Sequence, residues 1–265
     1  MRSLLFAVLL IVCCTAVAAG AEEQYEWAEF AAARLLIEQD KLDELRQWLD
    51  KGGDVNARGH MQRTPLMEAA AKGKVQVAQL LLDGGADINA RDENGFYALH
   101  WAVLGPMADR HDAAPVVRLL LDHGADVNSG LGEVDTPLHR SVFYCGPAVW
   151  QLLLERGAQI DAENVYHLTP LHFACSSNSA EARSWLVAHG AKVDDLYLAA
   201  STDDVHKLVA LLAAGQDINT YDWRGMTVLD WASTNGAWKS VALLAALGAK
   251  SGTELDQNGQ QSATP

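Results

Sequence analysis

Three histidines recur with one offset: His100, His139 and His172 each stand three residues after Tyr97, Thr136 and Thr169. Imidazoles in that number invite a metal or acid–base reading. Their separations, 39 and 33 residues, argue against it. If each fills the same place in a repeated unit, neighbours lie about one helix-packing distance apart, ~10 Å. Ligands of one ion must each approach it to about 2 Å. They are therefore expected to be structural. A second group, Asp109, His111 and Asp112 with His123 further on, offers carboxylates and imidazoles that suit a divalent ion. It has no recognised ligand spacing and is read as a charged loop, with metal or enzyme chemistry at residues 105–112 as the lesser alternative. The pairs Asp194-Asp195 and Asp203-Asp204 have no nucleophile beside them and suit helix starts, where carboxylates meet the positive end of the dipole. The chain contains no glycine-rich phosphate loop, nucleophile elbow or zinc spacing. The expectation is a protein that is not an enzyme, with no catalytic residue, cofactor or metal.

The elements that would position these side chains announce themselves by repetition. Seven times a leucine-rich stretch runs into glycine. In full form the motif is Gly52-Gly53-Asp54-Val55-Asn56, Gly85-Ala86-Asp87-Ile88-Asn89, Gly124-Ala125-Asp126-Val127-Asn128 and Gly157-Ala158-Gln159-Ile160-Asp161. It returns at Gly190, Gly215 and, truncated, at Gly248. The steps between these glycines are 33, 39, 33, 33, 25 and 33 residues. A second marker keeps the same beat: Thr64-Pro65-Leu66-Met67, Tyr97-Ala98-Leu99-His100, Thr136-Pro137-Leu138-His139, Thr169-Pro170-Leu171-His172 and Thr227-Val228-Leu229-Asp230. Two unlike motifs on one period near 33 mean stacked supersecondary units, which act by presenting a surface.

Within residues 58–90 the local logic is plain. Thr64 is a helix cap, and Pro65 suits the first helical position because its missing N–H had no partner there. Leu66, Ala69 and Ala70 mark one face of a short helix, and Lys72-Gly73 makes a turn. Val75, Ala78, Leu81 and Leu82 then follow the spacing of a second, amphipathic helix. Gly84 or Gly85 ends it with a residue that tolerates positive φ.

These motifs (Thr-Pro-Leu-His, the alanine pair, Leu-Leu before Gly-Ala, Asp-Val-Asn) resemble the ankyrin repeat over about residues 25–250. The resemblance implies an all-α solenoid of about seven helix-turn-helix units joined by β-hairpin loops. It also implies a concave groove, lined by first helices and loop tips, that binds other proteins. The units fall at about 25–57, 58–90, 91–129, 130–162, 163–195, 196–220 and 221–250, within one repeat domain spanning 22–250. The first lacks the Thr-Pro-Leu-His start, with Phe30, Ala31, Leu35 and Leu36 standing in, and reads as a polar cap. The third is longer by six residues. The sixth is short, which predicts a gap in the row of loops near Asp195. Residues 251–265 read as a disordered tail.

Residues 1–21 form a separate segment. Arg2, the apolar run Leu4–Val17 and small residues before Glu22 have the grammar of a secretory signal and are too short for a comfortable membrane span. Cleavage is expected near Ala21. Cys13 follows an aliphatic run as in a bacterial lipobox, but Val12 stands where Gly, Ala or Ser is required, so lipidation is not expected. The absence of an Asn-x-Ser/Thr acceptor favours a bacterial periplasm over a glycosylating route. The reading is a periplasmic or secreted monomer without membrane insertion after cleavage. The chain's formal charge of −14 would become −15 once Arg2 is removed. That field disfavours nucleic acid and anionic lipid and suits a protein partner, in particular a basic one. Cys145 and Cys175 lie at different levels of neighbouring units and are expected as free thiols.

Candidate contact residues are aromatic, apolar and charged side chains at positions the repeat leaves variable. The central units are chosen, with Phe96, Phe143, Tyr144, Tyr166 and Leu168 as apolar anchors and Glu93, Glu133 and Asp135 as acidic steering groups. Trp101, Phe173 and Trp231 are assigned to the core, and Arg140 is expected to reach an acidic neighbour. The function expected is non-catalytic protein binding in the cell envelope or secreted space. The alternative is an inhibitor, immunity-type or accessory partner of a periplasmic or secreted enzyme.

Overall fold

The computed structural model describes residues 21–105, 112–222 and 224–255, with side chains from Trp27 onward. Fourteen α-helices among them form seven pairs, so the repeat count read from the motifs is the pair count of the fold. The first helices are α1 (Ala21–Glu38), α3 (Pro65–Ala71), α5 (Ala98–Leu104), α7 (Pro137–Tyr144), α9 (Pro170–Ser176), α11 (Leu196–Ser201) and α13 (Val228–Thr234). Their second helices are α2 (Leu42–Asp50), α4 (Val75–Asp83), α6 (Ala114–Asp122), α8 (Pro147–Glu155), α10 (Ala180–Ala188), α12 (Val205–Ala213) and α14 (Trp238–Ala246). The molecule divides into two compact units, residues 1–159 and 160–265. In the first, α1, α3, α5 and α7 pack in succession, and so do α2, α4, α6 and α8. In the second, α9, α11 and α13 form the inner row, and α12 packs on α14.

Caps set each pair. Thr64 accepts from the Met67 N–H at 3.3 Å, with Pro65 in the first turn. Gly85, at φ +87°, ends α4: its N–H donates to the Leu82 carbonyl and that of Ala86 to Leu81. This closure needs a left-handed residue, which is why glycine returns at this point of every unit. Buried leucines then fill the layer between helix rows, among them Leu66, Leu81, Leu99, Leu138 and Leu153. Fully buried alanines such as Ala69, Ala70 and Ala102 let successive first helices approach closely. The Asn or Asp closing the glycine motif stitches one unit to the next: Asn56 accepts from the Asp87 N–H at 2.7 Å, Asn128 from Gln159 at 2.8 Å and Asp161 from Lys192 at 2.8 Å.

Two features differ from the sequence expectation. The loops between units hold no strand among the described residues beyond one isolated bridge, Tyr221 to Thr227. The hairpins are tight turns held by a few backbone bonds, such as Asp92 N–H to the Phe96 carbonyl at 2.9 Å and Gly95 N–H to the Asp92 carbonyl at 3.0 Å. Residues 251–255, assigned to a disordered tail, fold back instead: the Gly252 N–H donates to Asp230 Oδ2 at 2.9 Å. The remaining tail, 256–265, and the segment 1–20 lie outside the described residues. As the sequence predicts, the short sixth unit runs directly into α11, whose cap Asp195 accepts from Leu198 N–H at 2.8 Å.

Candidate protein-binding surface

The histidines are framework. His100 Nδ1 accepts from the Tyr97 N–H at 3.3 Å, which leaves the proton on Nε2 to donate to the Asp135 carbonyl at 2.8 Å. Burial pushes this imidazole down to about 4, so it is neutral at physiological pH. His139 repeats the motif, accepting from the Thr136 N–H at 3.1 Å. In the second unit His172 Nδ1 accepts from Thr169 N–H at 3.0 Å while Nε2 donates to Asp195 Oδ2 at 2.6 Å. Here the missing hairpin has removed the usual backbone acceptor, and the helix-capping carboxylate takes its place. No group of three or more His, Cys, Asp or Glu among the described residues is placed to hold a metal ion. Of the 105–112 loop, residues 106–111 are outside the description, and Asp112 accepts from the Ala114 N–H at 2.9 Å as a turn-former. Cys145 and Cys175 are free. Burial pushes both thiols up to about 12, away from thiolate chemistry.

The loop turns are built on a buried acidic or amide side chain. Asp92 Oδ1 accepts from Asn94 and Phe96 N–H at 2.8 and 2.9 Å, and its Oδ2 accepts from the Trp101 indole N–H at 3.0 Å. Asp222 repeats the clamp with Arg224, Met226 and the Trp231 indole, each at 2.8 Å. Asn164 holds Tyr166 and Leu168 N–H at 2.9 and 3.1 Å. The nine-residue Asp-to-Trp spacing, visible at 92/101 and 222/231, was the missed sequence signal for these fixed loops.

In the first unit these parts assemble a ladder of alternating charge and ring. Glu68 pairs with Arg63 at 3.1 Å, and the Arg63 guanidinium lies 3.7 Å from the Trp101 ring centroid. Trp101 meets Phe96 edge-on at 6.3 Å, Arg140 sits 5.2 Å over Phe96, and Arg140 bonds Asp135 at 2.7 Å. Arg140 therefore does reach an acidic neighbour, and its unusual place in the repeat is explained by the ring beneath it. Burial pulls Arg63 below its ordinary value, opposed by Glu68 and Asp92. Arg63 Nε and Arg140 Nε are buried without a hydrogen-bond partner, a cost accepted in laying each guanidinium flat on a ring.

The chosen contact residues separate by role. Phe143 and Tyr144 stand at the end of α7 with ring centroids 5.8 Å apart, Phe143 being 38% exposed. Phe96 is half-buried, stacked on His100 at 5.0 Å, and serves the ladder as much as a surface. Asp135 is held by Arg140, and Glu133 pairs with Arg91 at 2.7 Å, so these two acids carry cations of their own. Glu93 is exposed, and its backbone N–H donates to the Met61 carbonyl of the preceding loop at 2.9 Å. Tyr166 and Leu168 belong to the second unit: Tyr166 is 76% exposed at a turn tip and Leu168 is half-buried. Of the residues assigned to the core, Trp231 is 3% exposed, whereas Phe173 and Trp101, which lies under the Arg63 guanidinium of the preceding loop, are half-buried.

A stack of helix pairs with fixed loops, free thiols and framework histidines defines a scaffold that recognises other macromolecules by surface. The model for ankyrin repeats in three copies matches residues 30–130 and 107–197, and the chain belongs to the ankyrin-repeat family. Family members of this kind are protein–protein interaction modules. The chain is 30% identical over 236 residues to a VAPYRIN-LIKE protein of Medicago truncatula, covering 77% of this chain and 49% of that one. It is 31% identical to dog inversin over 74% of its length and 16% of inversin. To the Caenorhabditis elegans homologue of a transient receptor potential cation channel, subfamily A member 1, it is 32% identical over 68% of this chain and 15% of that one. The chain thus spans half or less of these relatives. The human ASB11 ankyrin repeat domain superposes with a TM-score of 0.60 at 26% identity, covering 80% of this chain and 96% of that one.

Proposed function

We propose that the protein acts without chemistry of its own, binding a protein partner in the cell envelope or secreted space. In this reading the contact is made by the loop and first-helix surface of the first unit, centred on Phe143, Tyr144 and the Phe96–Arg140 step, with Glu93, Glu133 and Asp135 around it. Tyr166 and Leu168 offer a further contact on the second unit. The observation that carries the reading is the ladder. It fixes aromatic and guanidinium groups at a half-buried edge before any partner arrives, and such pre-ordering removes part of the entropic cost of binding. Tyr, Phe and Arg are also the residue types that concentrate binding energy. The net charge of −14 supports a basic partner, which would compete with Arg91 and Arg140 for their carboxylates. The export part rests on the segment ending near Ala21. Mass spectrometry of the mature N-terminus tests it, and a retained Met1 or a lipid on Cys13 overturns it. For the surface, affinity capture of a partner is followed by the double variant F143A/Y144A. A loss of about 2–4 kcal/mol in binding with an unchanged melting temperature is expected. Unchanged binding would move the contact elsewhere.

A further inference from the structure

The second helices of the two units share a frame but turn different faces to solvent. At the fifth position of each, the first unit places Arg46, Gln79, Arg118 and Gln151, and at the ninth Asp50, Asp83, Asp122 and Glu155. The second unit places Ser184, Val209 and Ala242 at the fifth and Ala188, Ala213 and Ala246 at the ninth. On the packed pair α12 and α14 the outer face carries Val209 at 48%, Trp238 at 73% and Leu247 at 55% exposure, with exposed alanines between them. Residues 205–216 and 231–253 contain no carboxylate, in a chain with 34. A closing repeat ordinarily presents a polar outer face to stay soluble. This one does not, and an exposed apolar face of several neighbouring residues marks a contact.

We propose that this face binds a second copy of the same chain about a two-fold axis, with α12 and α14 antiparallel to their counterparts. Charge selects that occupant. Two chains of net charge −14 repel one another over most of their surface, and the carboxylate-free face is where they meet at least cost. The apolar part of this face is self-complementary, which an isologous contact requires. The lysines strengthen the case. Lys207 and Lys239 sit in the first turns of α12 and α14, beside the positive dipole ends, and neither helix has a basic residue in its last turn. An antiparallel mate brings its lysines over those uncompensated C-terminal carbonyls. An anionic lipid surface fits less well, because the rest of the chain would be repelled by it. Two helices of nine residues, each about 14 Å long and set about 10 Å apart, give a contact below the usual ~800 Å² per partner, so the association is weak and concentration-dependent.

This inference concerns a face separate from the loop and first-helix surface and stands whether or not that surface binds a partner. The test is sedimentation velocity on the full mature chain from about 5 to about 500 µM, the range a small interface calls for. The weight-average mass should climb toward that of a dimer. The variant V209E/A242E should stay monomeric, associating at least tenfold more weakly, with an unchanged melting curve. The first-unit control Q151E should associate like the parent. Should V209E/A242E unfold, W238S, at a 73% exposed site, makes the same test. A parent monomeric throughout overturns the proposal, as does association untouched by the substitutions. So does a monomer that floats with vesicles of phosphatidylcholine and phosphatidylserine, which would name lipid as the occupant.

Discussion

The first unit keeps its outer helix face charged and its loop edge ringed with paired arginines and aromatics; the second has the reverse emphasis. There the outer face of α12 and α14 is apolar, and the inner polar groups are drawn inward. Arg183 on α10 hydrogen-bonds Asn235 beyond α13, through its Oδ1 and, at 3.2 Å, its carbonyl. Asn235 in turn donates to the Trp231 carbonyl at 2.9 Å. The reach spans an intervening repeat, and Asn235 also donates to Ser201 Oγ of that repeat at 3.4 Å. The repeat thus dictates the inward positions and is nearly silent about the outward ones, and the outward ones record what each unit meets.

The largest expected effect tests whether the two units are energetically separate. Leu153 in the first and Leu208 in the second are fully buried, and truncating either to Ala should cost about 2–5 kcal/mol. In a stack with nearest-neighbour energetics the loss stays local. Hydrogen exchange should therefore show L153A loosening residues before 159 and L208A those after it. Equal loosening of both units by either variant would dissolve the comparison.

Acid should separate the units next. His100 is buried, neutral and held to about 4, against about 6.5 when unfolded. The unfolded chain therefore binds the proton first. Stability is full above about pH 6.5 and falls as the pH drops toward 4, by on the order of 2–3 kcal/mol. This loss should appear in the first unit, and H100Q should flatten it. A urea midpoint for that unit unchanged between pH 7.5 and 5 would show that the imidazole is not so placed.

The loop clamps should cost somewhat less. Removing Asp92 strands two backbone donors and the Trp101 indole, and D92A should cost about 1–3 kcal/mol. D222A, with the matching set in the second unit, should cost about as much, because there the two units are alike. Thermal melts of both variants check this, and a large inequality would mean that the clamps differ in solvent access.

Much of this was legible in the sequence, and the boundary is physical. Period, caps and closing glycines report backbone requirements, so Thr64, Pro65, Gly85 and the seven helix pairs could be placed from type and spacing alone. His100, His139 and His172 could be removed from chemistry on the same ground. What residue type does not encode is which of two surfaces a half-buried ring faces. Phe96 reads as an anchor and Trp101 as core, yet both are rungs of one ladder, because Arg63 comes from the preceding loop and Arg140 from the next first helix, α7. Asp135 and Glu133 read as acids for a partner, but the arginines that hold them lie five and forty-two residues away.

The smallest expected effect is the one that decides what the apolar outer face is for. Val209 is 48% exposed at the fifth position of α12, where the first unit carries arginine or glutamine. If its side chain supported folding, V209Q would cost what a buried methyl pair costs, about 1–2 kcal/mol. If the face exists to be covered by something else, the change should stay within about 0.5 kcal/mol, as for ordinary surface sites, and glutamine's better helix propensity could offset even that. The measurement belongs at low protein concentration, about 1 µM, where a contact between small faces is dissociated. A near-zero change there, growing as the concentration rises, would mean that the apolar residues of α12 contribute nothing to the fold of one chain and stabilise only what it docks to. A large loss at every concentration would return Val209 to the fold and leave the two units differing in composition alone.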